Sequence, residues 1–178
     1  RDAVVAHLAE VAPDAVPADQ DEVPGTGRAV ACGLAHLPED LTGPVVVTSG
    51  DVPLLDTATL QALLAQHNER GDAVTLLTTE LEDPSGYGRV VRRDNGEVLK
   101  IVEHKDATEE ERQIHEVNAG IYCFDAQALF SALAKVTNEN AQGEYYLPDV
   151  LSILRDAGEK IWAVTADDYE STLGIKLR

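Results

Sequence analysis

Short apolar runs alternate with segments of helical periodicity along this chain, and the alternation restricts its possible folds more than any other feature. Four runs predict strands, at Val45 to Thr48, Ala73 to Thr79, Glu116 to Phe124 and Ile161 to Ala166. Strands separated by helices form βαβ units, in which consecutive strands of a sheet run parallel. The sequence therefore predicts an α/β fold with a mostly parallel sheet flanked by helices.

Segments between these strands carry helix and turn signals. Thr26 is placed to cap a helix that runs to about Leu37, and Gly71 ends a helix that starts at Asp56 or Thr57. The tripeptide DNG at 94–96 joins two β-rich runs and predicts a β-hairpin insertion within residues 90–104. Further helices are predicted at residues 2–12, 107–114, 125–136 and 147–158.

The size and charge of the chain limit its partners. A length of 178 residues with 44% hydrophobic residues predicts a single domain, residues 1–178, with one sizeable core. The formal net charge of −18 disfavours nucleic acid and anionic membranes, because both are bound through basic surfaces. A small anionic ligand remains possible where a metal ion or a few local cations neutralise it.

Cysteine usage and hydropathy indicate a location. Cys32 and Cys123 lie far apart in segments predicted to be regular, which favours free thiols in a reducing compartment, the cytoplasm. No apolar run is long enough to span a bilayer. The chain starts at Arg1 inside an amphipathic helical pattern, so we expect the natural N-terminus to lie further upstream.

The stretch VVVTSGDVPLLD, residues 45–56, places one carboxylate just after an apolar strand. A run that is apolar on both faces is typical of a central parallel strand covered by helices, and ligands bind outside the carboxyl ends of such strands. Ser49 and Gly50 allow the backbone to approach a ligand, and Asp51 offers the carboxylate that Mg²⁺ takes alongside waters and phosphate oxygens. The alternative from this stretch alone is that Asp51 caps the following turn.

Other stretches carry candidate binding groups, each with a structural alternative. Gly25 and Thr26 start a helix whose unpaired N–H groups can meet a carbonyl or phosphate, or they form only a turn. Gly88 exposes a backbone amide to a ligand or forms a bulge before the hairpin. Glu103, at the end of an apolar strand, is a surface residue or a ligand acceptor. Asn118 lies inside an apolar strand, where a buried amide needs a partner.

The order of these motifs resembles one family. PGTGRAV, SGDVPLL, GYGRVVR, IVEHKDAT, EVNAGIY and NAQGEYYLPD follow one another as in the uridyltransferase domain of bacterial N-acetylglucosamine-1-phosphate uridyltransferases, bifunctional enzymes that also act as glucosamine-1-phosphate acetyltransferases. The resemblance covers about residues 20–174. It implies a Rossmann-like nucleotidyltransferase fold, which agrees with the βαβ pattern.

The resemblance also implies residue roles. Tyr146 matches a residue near the sugar pocket, although core packing is the usual role of an aromatic side chain beside a turn. Asp51 matches the magnesium ligand and is the catalytic candidate. The other matches are Gln20, Gly25 and Thr26 for uracil, Ser49 and Gly50 with Asp51 for the nucleotide, and Gly88, Glu103 and Asn118 for the sugar.

Departures from the family pattern bear on activity. The glycine-rich, lysine-bearing loop that wraps the phosphates is absent from the sequence, so we expect this chain by itself to have little or no turnover. Lys176 stands where the family has an asparagine as second magnesium ligand, and an ammonium group cannot coordinate a cation. Pro148 replaces a residue that is usually threonine. The family also has a left-handed β-helix acetyltransferase domain, through which full-length relatives would form homotrimers, and we expect residues 1–178 alone not to carry out the acetyl transfer.

The implied reaction transfers a uridylyl group from UTP to N-acetylglucosamine 1-phosphate and gives UDP-N-acetylglucosamine and pyrophosphate for cell-wall precursor synthesis. A phosphate oxygen attacks the α-phosphorus directly, with Mg²⁺ neutralising charge, so the protein needs no nucleophile. Two alternatives stay open. One is an inactive fragment that only binds the nucleotide sugar, and the other is a metal-dependent glycosyltransferase, which would normally have a second aspartate close to Asp51.

Overall fold

A six-stranded sheet with helices packed against it forms the centre of the computed structural model, which describes residues 1–166. The sheet order is β4-β3-β5-β2-β6, and β1 also pairs with β5. The strands are β1 (Pro44–Thr48), β2 (Val74–Glu80), β3 (Arg89–Arg92), β4 (Val98–Val102), β5 (Glu116–Asp125) and β6 (Ile161–Thr165). The helices are α1 (Asp2–Val11), α2 (Thr26–Leu34), α3 (Thr57–Arg70), α4 (Ala126–Leu133) and α5 (Asp149–Asp156), with a 3₁₀ turn at Glu111–Gln113.

The strand directions correct the sequence prediction. The α/β fold class is confirmed, but the sheet is mixed rather than mostly parallel, because four of the five strand pairings among residues 1–166 are antiparallel. β1, β2 and β6 point the same way, as the βαβ pattern predicts. The long strand β5 runs against them and lies between β1 and β2. Its direction follows from its connection, since the chain enters β5 from the β3–β4 hairpin and the 3₁₀ turn instead of a crossover helix.

β1 is an edge strand, not the covered central strand that its apolar run predicts. It pairs with β5 alone among the described strands. Val45 and Val47 pack against the core, whereas Val46 points outward and is 41% exposed. One face of β1 is therefore enough to anchor the strand, and its end is left open to solvent.

The ends of the helices follow the predicted caps in part. The Asp56 side chain accepts a hydrogen bond from the Thr59 amide at 2.7 Å, and Gly71 ends α3 in a left-handed conformation, as predicted. The predicted acidic helix is reduced to a single 3₁₀ turn. The predicted hairpin is present, with β3 and β4 paired across the turn.

The start of α2 differs from the prediction. Its N-cap is Gly25, and Thr26 is the first helical residue. The Thr26 hydroxyl does not cap the helix, because its oxygen accepts a hydrogen bond from the Leu147 amide at 3.0 Å. The helix also ends at Leu34, three residues before the predicted Leu37, which is exposed.

The core lies on both faces of the sheet. Neighbouring residues of β2 and β5 alternate between the faces, so Leu76 and Phe124 join the larger cluster while Leu77 and Ile121 join the smaller one. α4 and α5 contribute to the larger cluster, and α3 covers the smaller one. No helix of the described part is long and apolar enough to cross a membrane. Both predicted free thiols are unpaired.

One edge of β5 is shared by two strands, and this arrangement creates the site. β1 pairs with β5 from Ile121 to Asp125, whereas β3 pairs with it at Val117. Residues 118–120 lie between the two and leave a gap in the sheet. The pairing of β2 with β5 also shifts register here, between Leu77 and Thr78.

Candidate functional site

A pocket of about 310 Å³ opens at the gap between β1 and β3. The end of β1, the start of α2, the segment after β4 and the middle of β5 all contribute to it. Its lining includes Thr26, Ser49, Glu103, Asn118, Tyr122 and Pro148. Four of the predicted site residues, Thr26, Ser49, Glu103 and Asn118, therefore lie around one cavity.

Asn118 is held in place from three sides. Its backbone amide donates to the Gly88 carbonyl at 2.9 Å. Its side-chain amide donates to the Tyr122 hydroxyl at 2.5 Å, and its side-chain oxygen accepts from the Gly120 amide at 3.0 Å. The partner that the sequence required for this amide is thus within β5, and the side chain is fixed before any ligand binds.

Two glycines let neighbouring groups approach closely. Gly120 has φ +73°, and a Cβ there would lie 2.9 Å from the Ser49 hydroxyl oxygen. A Cβ on Gly88 would lie 3.0 Å from Ile101 Cγ2 and 3.2 Å from a Glu103 carboxylate oxygen. We call Gly88, Glu103, Asn118 and Gly120 the sheet wall.

The sheet wall is acidic. Burial raises the pKa of Glu103 above its ordinary value, and the charges of Asp106 and Asp149 raise it further. Burial, with a contribution from Asp106, also raises the pKa of Asp149. A phosphate is unfavourable beside such carboxylates, whereas sugar hydroxyls can donate hydrogen bonds to them.

A second group of predicted residues lies on exposed loops. Gln20, Gly50 and Asp51, which we call the loop rim, are all exposed. Within residues 1–166 Asp51 makes no side-chain hydrogen bond, so the turn-capping alternative has no such contact to support it. The charge of Asp51 acts on Tyr87, whose pKa is raised first by burial and then by this carboxylate.

The donor set at Asp51 fits a Mg²⁺ ion that relies on waters and phosphates. No group of three or more His, Cys, Asp or Glu side chains within residues 1–166 could hold a metal by itself. Mg²⁺ takes one or two protein carboxylates and keeps several waters, so a single free carboxylate beside a flexible glycine is compatible with it. Lys176, at the position expected for the second ligand, lies outside the described residues.

The loop that carries Gln20 is fastened to the segment before α5. The Gln20 amide nitrogen donates to the carbonyls of Val23, at 2.8 Å, and of Gly25, at 3.2 Å. Gly25 has φ +121°, and a Cβ there would lie 2.3 Å from the Tyr145 carbonyl oxygen. The Gly27 amide donates to the same carbonyl at 2.8 Å.

Tyr146 is buried and is followed in sequence by two residues of the pocket lining, Leu147 and Pro148. It is 7% exposed, and it is not part of the lining that the described residues form. Its hydroxyl accepts from the Gln142 amide at 2.7 Å and lies 3.5 Å from an Asp106 carboxylate oxygen. The core-packing alternative for Tyr146 is thus compatible with its burial.

Sequence comparison identifies the family of this chain. The profile of the nucleotidyl transferase family matches residues 4–170. The chain belongs to the nucleotidyl transferase family.

Relatives within the nucleotidyl transferase family are close in sequence. The chain is 56% identical over 173 residues to the bifunctional protein GlmU of Pseudarthrobacter chlorophenolicus, covering 96% of this chain and 35% of that protein. It is 51% identical over 179 residues to the bifunctional protein GlmU of Streptomyces coelicolor, covering all of this chain and 37% of the relative. The chain thus spans about a third of the length of these curated relatives.

Solved structures agree with the nucleotidyltransferase fold. A UDP-glucose pyrophosphorylase complexed with UDP-glucose superposes with a TM-score of 0.63 at 16% identity, covering 86% of this chain and 59% of that one. A putative glucose-1-phosphate thymidylyltransferase from Bacillus anthracis gives a TM-score of 0.62 at 16% identity, covering 83% and 55%. At this identity the likeness shows the fold alone, and it confirms the predicted nucleotidyltransferase fold.

Sequence reasoning misses two residues that line the pocket. Gly120 is not among the predicted site residues, although an isolated glycine inside a strand indicates a bulge or a close approach. Tyr122 is not among them either, because its ring stacks on Phe124 at 5.4 Å in the core while only its hydroxyl reaches Asn118. A tyrosine that spans core and pocket has no signal in the sequence pattern.

Proposed function

We propose that this domain transfers a uridylyl group from UTP to N-acetylglucosamine 1-phosphate, giving UDP-N-acetylglucosamine and pyrophosphate. Family membership and the close GlmU relatives support a sugar-nucleotide reaction. One observation carries the proposal: the gap along β5 gathers Thr26, Ser49, Glu103 and Asn118, which are far apart in sequence, around a single pocket.

The charge of the pocket supports one orientation of the substrate. Glu103, with Asp106 and Asp149 nearby, makes the sheet wall unfavourable for phosphates. The sugar therefore binds at the sheet wall, where Glu103 accepts hydrogen bonds from hydroxyls and Asn118 and Gly88 hold the remaining polar groups. The phosphates lie toward the loop rim, away from these carboxylates.

Hydrogen bonds already present in the loops leave groups that are complementary to uracil. Because the Gln20 side-chain nitrogen donates to the carbonyls of Val23 and Gly25, its oxygen is free to accept from the N3–H of uracil. The Thr26 oxygen accepts from the Leu147 amide, so its own proton is free to donate to a uracil carbonyl. Cytosine, which has no N3–H, lacks the donor that Gln20 requires.

The predicted metal site fits the same orientation. Asp51 would hold Mg²⁺, which, when bound, supplies neutralisation of the phosphate charge. Asp51 is exposed and Gly50 has open space around it, so this part of the rim has room for phosphates and waters.

The reaction then needs alignment more than covalent chemistry from the protein. A phosphate oxygen of the sugar phosphate displaces pyrophosphate from the α-phosphorus of UTP. The sheet wall contributes by fixing the sugar, and with it the attacking oxygen, while the loops fix the base. No side chain has to form a covalent intermediate.

Other features follow from the proposal. We place the reaction in the cytoplasm, where UTP and sugar phosphates are available for cell-wall precursors, and we take residues 1–178 as one partial nucleotidyltransferase domain. Acetyl transfer and trimer formation would belong to a separate domain of the full-length relatives. These expectations depend on the relatives and not on the pocket itself.

Calorimetry and a turnover assay test the proposed function. The chain is titrated with UDP-N-acetylglucosamine in the presence of Mg²⁺, and pyrophosphate release is followed with UTP and N-acetylglucosamine 1-phosphate. Binding with little or no pyrophosphate release is the expected result, because the sequence carries no loop that wraps the phosphates. Robust release would support the reaction and overturn the expectation that this chain is inactive by itself. Sugar transfer from UDP-N-acetylglucosamine to an added acceptor would favour a glycosyltransferase, and absence of binding would overturn the proposal.

A further inference from the structure

Arg89, beside the sheet wall, is a buried charge that the proposed reaction does not use. It is 1% exposed and is the largest of the fully buried side chains in the described part of the chain. A buried charge is costly unless hydrogen bonds and opposite charges compensate it. Its Nε finds no hydrogen-bond partner among residues 1–166. An ordinary core position would not be filled this way.

The backbone of Arg89 joins the hairpin to the rest of the sheet. Arg89 pairs with Val102 of β4 on one side and with Val117 of β5 on the other. One position beyond this pairing, Gly88 lies opposite Asn118 on the β5 side, and Glu103 follows Val102 on the β4 side. The residue that fastens the hairpin is thus adjacent to three members of the sheet wall.

The guanidinium group holds the same segments. It donates to the Tyr87 carbonyl, directly before Gly88, and to His104 Nδ1, directly after Glu103, at 3.2 Å. Arginine can only donate, so His104 Nδ1 is the acceptor in this contact. One side chain therefore ties the residue before Gly88 to the residue after Glu103.

Charge links Arg89 to Glu103 as well. Asp106, Asp149 and Glu144 all raise the pKa of Glu103, in addition to burial, and Arg89 acts in the opposite direction. Burial lowers the pKa of Arg89, and the negative charges of Asp83 and Glu103 act against this and favour its charged form. The buried cation thus offsets part of the acidic surroundings of Glu103.

We propose that Arg89 is a positioning residue for the sugar side of the site: it holds Gly88 and Glu103 against Asn118 and opposes the carboxylates around Glu103. This inference rests on the proposed function. Arg89 does not line the pocket, so it acts through Gly88 and Glu103 and not by contact with substrate.

The test compares Arg89→Gln and Arg89→Lys with a matched control, Arg92→Gln. Arg92 lies on the same strand and pairs with Glu116 at 2.6 Å, and its hydrogen-bond partners within residues 1–166, Glu116 and the Gly96 carbonyl, are not members of the sheet wall. Calorimetry gives the dissociation constants of UDP-N-acetylglucosamine and of UDP, and ¹³C NMR follows the titration of the Glu103 carboxyl group. A residue that matters only for folding would leave the ratio of the two constants and the titration unchanged in the folded variant.

We expect Arg89→Gln to weaken UDP-N-acetylglucosamine binding about tenfold while UDP binding changes less than about twofold, the loss of roughly one hydrogen-bonded contact. The Glu103 carboxyl should titrate at higher pH in this variant, and Arg89→Lys should restore much of that titration. If Arg89→Gln does not fold, Arg89→Lys carries the test with a smaller loss of sugar-nucleotide binding.

Folded Arg89→Gln and Arg89→Lys chains with wild-type affinity and wild-type Glu103 titration would overturn this inference alone. So would an equal loss in Arg92→Gln. If the unsubstituted chain fails to bind UDP-N-acetylglucosamine, the proposed function falls, and this inference falls with it.

Discussion

The sheet wall and the loop rim belong to one candidate site but are built differently. The wall lies in β5 and directly beside β3 and β4. Asn118 is already hydrogen-bonded to Tyr122, Gly120 and the Gly88 carbonyl, and a Cβ on either glycine of the wall would come within about 3 Å of a neighbour. The rim is exposed, Asp51 makes no side-chain hydrogen bond within residues 1–166, and nothing lies within 4 Å of a Cβ placed on Gly50. The wall is preorganised, whereas under the proposed function the rim would be ordered by the metal and the nucleotide.

This difference predicts how substitutions divide. A change in the wall alters packing and hydrogen bonds that exist without ligand, so it changes the free energy of unfolding as well as binding. A change in the rim removes groups that contact little in the free chain, so it changes binding alone. Denaturation and ligand titration of the same variant separate the two effects.

The largest expected effect on stability is at Gly25, where the loop that carries Gln20 contacts the segment before α5. Gly25→Ala places a Cβ 2.3 Å from the Tyr145 carbonyl oxygen in a backbone conformation with φ +121°. Since the obstacle is backbone and cannot rotate away, we expect a loss of about 3 kcal/mol or more in the free energy of unfolding. Chemical denaturation measures it, and a near-neutral result would show that the loop is not docked as described.

A smaller effect separates the wall from the rim directly. Gly120→Ala imposes a left-handed conformation on alanine and brings its Cβ to 2.9 Å from the Ser49 hydroxyl. We expect a loss of roughly 1–3 kcal/mol in the free energy of unfolding. Gly50→Ala is the matched control, because it has open space and no positive φ, and it should change stability by less than about 0.5 kcal/mol. Equal losses for the two glycines would erase the distinction between wall and rim.

Glu103→Gln tests whether the negative charge of Glu103 lowers the free energy of unfolding. The folded pKa of Glu103 is raised, so the folded chain binds the proton more tightly than the unfolded chain, and stability falls as pH rises from the ordinary pKa through the folded one. Glutamine resembles the protonated form, so the variant should unfold at higher denaturant concentration at pH 7 and lose this part of the pH dependence.

The control for that experiment is Glu110→Gln, an exposed position with the same change in charge. It corrects for the general relief that any lost carboxylate brings to a chain with net charge −18. An equal gain for both variants, or a loss for Glu103→Gln at pH 7, would contradict the expected direction. Sugar-nucleotide binding should weaken in Glu103→Gln despite the added stability.

The smallest change in stability is expected at the rim. Asp51→Ala removes a carboxylate that is exposed and makes no hydrogen bond within residues 1–166, so the free energy of unfolding should change by less than about 0.5 kcal/mol. Titration with UDP-N-acetylglucosamine should still detect binding, but Mg²⁺ should no longer strengthen it. A stability loss as large as that of Gly120→Ala would place Asp51 in the structural framework instead.

Local signals in the sequence predict local structure well. Asp56 caps the start of α3 because its side-chain oxygen accepts a hydrogen bond there, and Gly71 caps its end because it has no Cβ. Both roles depend on the residue itself and little on its surroundings. Thr26 also has a side-chain oxygen suited to capping, but that oxygen accepts a hydrogen bond from the amide of Leu147, which is distant in sequence. The prediction of strand direction is wrong for a related reason. β5 runs opposite to β1 and β2 because of its connection, and the periodicity of residues in a strand is the same for either direction.

The residues of the candidate site that the sequence predicts differ in the same way from those that it does not predict. The order of the motifs alone selects Ser49, Glu103 and Asn118 as binding residues, and all three line one pocket. Arg89 and Gly120 cannot be found in that way, since their roles depend on which strands pair at the gap in β5 and how closely they approach. Pairwise contacts between distant segments are what the sequence pattern leaves open.

The most direct test of the central claim is an NMR titration of ¹⁵N-labelled chain with UDP-N-acetylglucosamine, with UDP as control and Mn²⁺ as a paramagnetic substitute for Mg²⁺. The account predicts amide shifts at Gly88, Asn118 and Gly120 with the sugar nucleotide that UDP does not produce, together with Mn²⁺ line broadening centred on Asp51. Identical wall shifts with UDP, or broadening centred on Glu103, would contradict it.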